Sequence, residues 1–311
     1  MTDFPTHKHS AIPLGRVRER TALSARLSDH VGLTKPGITV MVIVTALAGY
    51  AMGAAWAGWD WLTLPAALAG TGLSCMGASA LNQLWERDTD AKMQRTRERP
   101  LPAGRLSARE SLAVALVYAI LGVGVLWQWA HPLAAVLSAL TIVLYVLVYT
   151  PMKRVSSLST TVGAVPGAMP PLIGYAAATG QVGIEAVLLF AVMFVWQLPH
   201  FYAIGWLYRD DYARAKLPIL PVVDPTGRRT FRHILVSSVV LLAAGAMPTL
   251  LGVGGLATLI VAGLCGGAFL LLAVRVARVP SRGRARALFL ASLVYLPVVM
   301  TVVVLDQKVP H

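Results

Sequence analysis

Acidic residues are scarce in this chain. Asp and Glu number 14 among 311 residues, against 27 Lys and Arg, and charged residues of both signs make up only 13%. A soluble chain of ordinary composition carries about 25%. With 56% hydrophobic residues and a mean hydropathy of +0.66, too little polar surface exists to clothe a globular exterior. A soluble enzyme is excluded, and so is a disordered chain, which needs low hydrophobicity. Cysteine is nearly absent as well. Cys75 and Cys265 both lie inside apolar runs, where they build neither a disulfide framework nor a metal site and read as small packing residues. The net charge of +13 would suit a nucleic-acid binder only if it were spread over one surface. Here it is confined to short segments between apolar runs, which suits a membrane surface.

A helix needs about 20 apolar residues to cross a bilayer. Nine runs qualify, at 38–57, 62–84, 112–130, 133–150, 158–178, 185–206, 234–251, 254–274 and 287–305. The expected fold is therefore all-α, a polytopic bundle of nine transmembrane helices with cytosolic cap loops. Prolines inside several runs (Pro166, Pro170, Pro171, Pro199, Pro248) are tolerated in membranes where neighbours satisfy the freed backbone. Threading the runs from a cytosolic N-terminus places 26 of the 27 Lys and Arg on the cytosolic side and only Lys308 outside. A miscount of one span would scatter the downstream charges, so count and orientation support each other. Residues 1–36 read as a basic cytosolic tail, with room for an interfacial helix, and 37–311 as the membrane domain. The Arg-rich start also permits a mitochondrial transit peptide as the second reading.

External connections are a few residues long, whereas two cytosolic ones, about 85–111 and 207–233, are long and rich in Arg and Asp. Long loops on one face are where chemistry is expected. In the first, Asn82, Glu86 and Asp90 recur every four residues and share one face of a continuing helix. Oxygen ligands converging from one face suit a hard cation such as Mg²⁺, which commonly takes one or two carboxylates plus substrate phosphates. Asp88 is turned away unless the helix breaks. Arg95, Arg97 and Arg99 follow with forked donors suited to phosphate. The bland alternative, a solvated charged loop that sets topology, explains the arginines but not Asn82 one turn before two acids.

The second cluster, Asp210 and Asp211, follows the sixth span at the same face. Four spans separate the two clusters, which permits a parallel repeat of spans one to four on five to eight. Together they form a plausible two-metal diphosphate clamp.

The first cluster resembles the Asn-x-x-x-Asp-x-x-x-Asp signature of the UbiA superfamily of intramembrane prenyltransferases. Within it the chain is most similar to the branch that farnesylates haem. Four stretches carry the resemblance: Leu33-Thr-Lys35-Pro36; Asn82 to Pro102 with its Asp-x-Lys-Met-x-Arg-Thr core; Tyr149-Thr-Pro-Met-Lys153-Arg154 with Gly163 to Gly174; and Trp196-Gln-Leu-Pro-His200-Phe through Asp210-Asp211-Tyr212 to Leu217-Pro-Ile-Leu-Pro-Val. Two departures stand out. Glu86 occupies the first Asp position, and the superfamily's second Asp-x-x-x-Asp is not intact, with Trp206 and Leu207 four residues before Asp210 and Asp211.

The resemblance implies transfer of farnesyl from farnesyl diphosphate to the 2-vinyl group of haem B, with water completing the product, and Mg²⁺ assisting loss of diphosphate. It implies Glu86, Asp90 and Asp210 or Asp211 as metal ligands beside Asn82. Arg95, Arg99, Lys153, Arg154 and Lys216 would hold substrate. The implied partners are farnesyl diphosphate, haem B, membrane lipid and the haem A synthase or haem–copper oxidase assembly that takes the product, with no nucleic acid. The implied place is the bacterial inner membrane.

His200, inside a span, has two readings: a haem contact through iron or propionate, or a packing histidine whose proton goes to the carbonyl freed by Pro199. Trp85, Trp196, Trp206 and Tyr208 read as interfacial anchors, and Gly163-x-x-x-Gly167 and Gly263-x-x-x-Gly267 as close-packing sites. Two other functions fit less well. One is a prenyltransferase with an aromatic acceptor. The other is a secondary transporter for an organic anion, which would place polar groups at mid-bilayer instead of at one rim.

Overall fold

In a water-free layer, backbone polar groups are satisfied only within a helix or a closed barrel, and every apolar run here becomes helical. The computed structural model describes residues 22–308. Its elements are α1 (Ala22–Leu33), α2 (Pro36–Ala57), α3 (Thr63–Asp90), α4 (Ala108–Trp129) and α5 (Pro132–Val143). The last passes through a π-helical stretch (Leu144–Tyr149) into α6 (Thr150–Met152). Then follow α7 (Ser159–Thr179), α8 (Ile184–Leu207), the short α9 (Arg209–Arg214) and α10 (Leu220–Val223), α11 (Arg228–Leu250), α12 (Leu256–Arg278) and α13 (Arg282–Leu305).

Among the described residues, eight helices are long and apolar enough to cross a membrane, with α5 and α6 forming one of them. The ninth expected span, 158–178, is present as α7 but falls short in apolarity. Its residues are packed by protein: 13 of its 21 positions are buried, so it needs no lipid-facing surface. Several helices also extend past the apolar runs at the basic end, α3 to Asp90 and α12 to Arg278. Of the expected basic tail, α1 supplies the short helix, and residues 1–21 lie outside the described residues.

The helices pack as a ring. Neighbour relations α2–α3, α3–α4 and α4–α5 recur as α7–α8, α8–α11 and α11–α12, the pattern a repeat of the first four spans on the next four would give. α2 packs along α7, and α13 touches α8, α12 and α2, closing the ring. Two apolar cores result. One lies among α8, α11, α12 and α13 around Leu189, Ile234, Phe269 and Leu296. The other lies among α2, α4, α5 and α7 around Tyr50, Leu126 and Ile173.

The α2–α7 contact depends on missing side chains. A Cβ on Gly174 would strike the Ala46 carbonyl oxygen, and one on Gly49 the Pro171 carbonyl oxygen. The two expected glycine motifs behave differently. Gly163 lies under the Tyr149 ring and Gly167 against the Gln197 amide, whereas nothing lies within 4 Å of a Cβ on Gly263 or Gly267. In that segment Gly266, against Leu242, does the packing. The interfacial-anchor expectation also divides. Trp85 and Tyr208 are exposed, but Trp196 and Trp206 are core residues at 6% and 9% exposure. Trp196 Nε1 donates to the Ser292 carbonyl at 2.8 Å, which satisfies its one polar atom inside the bundle.

Candidate active site

α3 carries the first acidic cluster on a helix that does not stop at the end of its apolar run. It continues to Asp90, so Asn82, Glu86 and Asp90 fall on one face, while Asp88 points outward beside Arg87. Asn82 is fully buried and Asp90 nearly so. Each is met by a cation or donor from elsewhere in the chain. Lys35 Nζ donates to Asn82 Oδ1 at 2.6 Å, Lys153 Nζ to Glu86 Oε1 at 2.8 Å, and Arg99 Nη1 to Asp90 Oδ2 at 2.7 Å. Asn82 Nδ2 donates to Thr150 Oγ1 at 3.1 Å.

Three local features bring those partners in. Gln83 Nε2 donates to the carbonyls of Gly32 and Leu33 at 3.0 and 2.7 Å, fastening the end of α1 to α3. The chain then turns through Lys35 in the left-handed region, φ 50° and ψ 64°, a conformation a lysine adopts only under constraint. That turn aims Lys35 at Asn82. Pro151 lacks the N–H that an α-helix would use at that point, and the helix widens just before it, with the Thr150 N–H reaching the Tyr145 carbonyl five residues back. The widened turn presents Thr150 to Asn82 and sets Lys153 over the Tyr149 ring, 4.5 Å from its centroid. Arg99 returns from the loop after α3, where Thr96 Oγ1 donates to the Asp90 carbonyl at 2.9 Å.

The two lysines differ electrostatically. Burial lowers the Lys35 pKa to about 7 against the opposing pull of Glu86, and Arg99 and Lys153 add repulsion. Burial also disfavours the Lys153 ammonium, but Glu86, with Tyr149 and Tyr145 beside it, overcomes that penalty and holds the group well above the usual lysine value. The face thus sets three cationic side chains, Lys35, Lys153 and Arg99, against two carboxylates, Glu86 and Asp90, all of them largely shielded from water. Such pairs cost desolvation and are poor stabilisers, but they suit an anion that can take the cations while a metal takes the carboxylates.

The second cluster meets the first through the loop after α3. Asp211 accepts the backbone N–H groups of Gln94 and Arg95, each at 3.3 Å, and pairs with Arg214. Asp210 is exposed and pairs with Arg282 at the start of α13. Arg95 stacks over Tyr208 at 5.3 Å. Arg154 donates to the Trp85 carbonyl at 2.7 Å, so it braces α3. Lys216 is exposed, with φ 56°, between Ala215 and Leu217, which pack on Met93.

Among the described residues no three His, Cys, Asp or Glu side chains group to hold an ion alone. The donor set nevertheless fits Mg²⁺ shared with phosphate, since one or two carboxylates are enough when substrate oxygens complete the shell. Lys35 and Thr150 were not among the site residues expected from sequence. Both lie in stretches that carry the family resemblance, each at the mouth of a span next to a proline, but nothing in their spacing pointed to Asn82.

His200 stands apart from this face. Its ring stacks on Trp196 and faces Phe289, and its Nδ1 lies 2.7 Å from Ser292 Oγ on α13. Its partner is therefore on another helix and is not the carbonyl freed by Pro199. Ser292 Oγ also lies 2.5 Å from the Phe289 carbonyl; with the hydroxyl proton given to that carbonyl, the ring donates at Nδ1 and Nε2 keeps a lone pair.

Two apolar spaces lie in the bundle, one of them directly below the site. A cavity of about 110 Å³ begins one turn below Asn82, bordered by Cys75, Ala78, Tyr145 and Pro166. A groove of about 620 Å³ runs between α2 and α13, past Val44, Ala48, Leu296 and Met300. Leu296 is one helical turn from Ser292.

Comparison with known proteins agrees with this fold. Residues 42–295 match the model of the UbiA prenyltransferase family. A protoheme IX farnesyltransferase of Solibacter usitatus is 44% identical over 290 residues, covering 90% of this chain and 99% of that protein. One of Koribacter versatilis is 40% identical, covering 93% and 96%. Among solved structures, digeranylgeranylglyceryl phosphate synthase superposes with a TM-score of 0.75 at 14% identity, covering 91% of this chain and 98% of that one. A UbiA homolog from Archaeoglobus fulgidus bound to GPP and Mg²⁺ gives 0.60 at 13% identity, covering 88% and 99%. At such identities the structures speak for the fold alone; the family match over most of the chain decides the rest, and the chain belongs to the UbiA prenyltransferase family.

Proposed function

We propose that the protein transfers a farnesyl group from farnesyl diphosphate to the 2-vinyl group of haem B, with addition of water, giving haem O and diphosphate. The observation that carries this reading is the buried face of Asn82, Glu86 and Asp90 interlocked with Lys35, Lys153 and Arg99. It occurs in a chain 44% identical to a protein named protoheme IX farnesyltransferase along nearly its whole length. An aromatic acceptor and the transporter have no such observation in their favour.

Breaking the allylic C–O bond leaves negative charge on the diphosphate, and groups already aimed at that position lower the barrier most. Lys35, Lys153 and Arg99 bind the phosphate oxygens as they leave their carboxylate and amide partners, with Arg95, Arg154 and Lys216 at the rim. Glu86 and Asp90, with Asp210 or Asp211 of the second cluster, would hold Mg²⁺ shared with the substrate phosphates. Bound there, Mg²⁺ would neutralise charge that develops on the leaving group. The apolar cavity below keeps water from the allylic cation. The vinyl carbon forms the new C–C bond, the positive charge passes to its neighbour, and water adds there with loss of a proton.

The α2–α13 groove offers the haem an apolar seat, and His200 is joined to α13 through Ser292, one turn from Leu296 of the groove. The Nε2 lone pair is the form that ligates iron when Nδ1–H is held by a second group. Haem bound by the protein then shows a histidine-ligated Soret band that His200→Ala loses and added imidazole restores. An unchanged spectrum in that variant would make His200 a packing residue.

The test of the reaction is product mass. Membranes containing the protein, haem B, farnesyl diphosphate and Mg²⁺ should yield a haem heavier by one farnesyl and one water, and none with EDTA. Consumption of farnesyl diphosphate only with quinone precursors would move the acceptor to an aromatic ring. The reading places the protein in a bacterial inner membrane, N-terminus in the cytosol and C-terminus outside, with a mitochondrial inner membrane as second choice. Residues 37–311 form the prenyltransferase domain, and the product passes to haem A synthase or oxidase assembly.

A further inference from the structure

The basic end of the second half of the chain carries charge of one sign. Between Asp224 and Asp306 there are eight arginines and no Asp, Glu or Lys. Several arginines at this end are matched to acids: Arg26 to Glu110, Arg99 to Asp90, Arg105 to Asp29, Arg214 to Asp211 and, within the segment itself, Arg282 to Asp210. Arg275, Arg278 and Arg284 have no acidic partner among the described residues. These three, with Leu272, Val279 and Ala287, enclose a pocket of about 470 Å³ where α12 turns into α13. Arg284 is held in place there. Its Nη1 donates to the Val279 carbonyl at 2.8 Å, and its backbone N–H donates to Ser281 Oγ at 3.2 Å.

What lies below the arginines selects the ligand. On α12, Leu264, Leu271, Arg275 and Arg278 follow at steps of seven, four and three, so they share one face. On α13, Leu290 and Val294 follow Ala287 at three and seven. Leu264 and Leu271 are 71% and 64% exposed, and Leu290 and Val294 48% and 63%. An apolar track open to the bilayer therefore runs straight down from a ring of three guanidinium groups. A free phosphate would use the ring and leave the track bare. A phospholipid uses both, and anionic head groups at a membrane surface attract such basic clusters.

We infer that the α12–α13 turn is a binding site for an anionic phospholipid of the adjoining leaflet, its phosphate among Arg275, Arg278 and Arg284 and its acyl chains along Leu264, Leu271, Leu290 and Val294. The pocket shares no residue with the face proposed to take the diphosphate, although Arg282 of the same turn pairs with Asp210, and it rests on neither the proposed reaction nor the acceptor.

Native mass spectrometry of the purified full chain, titrated with phosphatidylglycerol or phosphatidylcholine, tests this. Phosphatidylglycerol should be retained at a concentration at least about tenfold lower. The triple variant Arg275→Gln, Arg278→Gln, Arg284→Gln should lose that preference. The triple variant Arg228→Gln, Arg229→Gln, Arg232→Gln, with the same charge loss, should keep it within about twofold. Thermal unfolding in phosphatidylcholine alone checks that both fold, and Arg278→Gln singly should give an intermediate loss if the first triple does not. Equal retention of the two lipids would overturn the site, as would equal loss in both triples, which diffuse attraction to the whole rim predicts. Displacement of the lipid by millimolar glycerol 3-phosphate would assign the ring to a free phosphate and overturn the lipid reading.

Discussion

Glu86 and Asp90 owe their arrangement to partners, and those partners make them separable by mutation. Asp90 is 4% exposed and holds Arg99 at 2.7 Å. Asp90→Ala removes a carboxylate and frees Arg99, which at 25% side-chain exposure can turn to water. Turnover should therefore vanish while the protein still inserts and elutes as the parent does. Near-normal activity in Asp90→Ala would remove the metal reading at its base. Lys35 carries a different expectation. As a half-buried donor to Asn82, and not to a carboxylate, it is free to turn to phosphate in the proposed reaction, and Lys35→Met should then raise KM for farnesyl diphosphate by about tenfold or more. A charge-assisted hydrogen bond contributes roughly 1.5–3 kcal/mol. An unchanged KM would make Lys35 a structural clip for the turn between α1 and α2.

At the scale of elements, position is set by helices that run past their apolar stretches and by the closeness of two of them. α3 reaches Asp90 only because its polar end is clothed by α1 and by the loop through Arg99 and Pro100. α2 and α7 approach backbone to backbone at Gly49 and Gly174, which brings Lys35 at the start of α2 into the ring. Gly174→Val puts a branched side chain into the Ala46 carbonyl, an overpacking of about 1–3 kcal/mol or more. The variant should show a lowered unfolding midpoint in detergent and reduced activity at a distance from the site. Gly263→Val, facing open space, should be close to neutral. Equal effects from both would mean that α2 and α7 do not meet this closely.

The whole molecule is read through its charge. With α7 as a ninth crossing, the proposed orientation puts the two ends of the described chain on opposite sides and the end rich in Lys and Arg in the cytosol. In a background with Cys75→Ala and Cys265→Ala, a membrane-impermeant maleimide should label Lys308→Cys in intact cells and Lys92→Cys only after lysis. Both positions are exposed. Labelling of both from one side would break the nine-crossing count, the one place where α7 is in question.

Much of this was legible before any coordinates. Apolar run length decides where helices cross, because the bilayer admits no unsatisfied backbone, and the boundaries of all nine runs lie within a few residues of helices. The spacing of Asn82, Glu86 and Asp90 decides their shared face, because a helix repeats every 3.6 residues. Both are local rules that short windows of sequence carry. Tertiary structure alone decided the partners. Lys35 meets Asn82 across 47 residues, Lys153 meets Glu86 across 67 and His200 meets Ser292 across 92. It also decided that Trp196 and Trp206 are core residues and that Gly266, not Gly263 or Gly267, packs. No periodicity encodes such pairs, since they depend on which helix faces touch and how closely backbones approach, and that is settled only when the ring of helices closes.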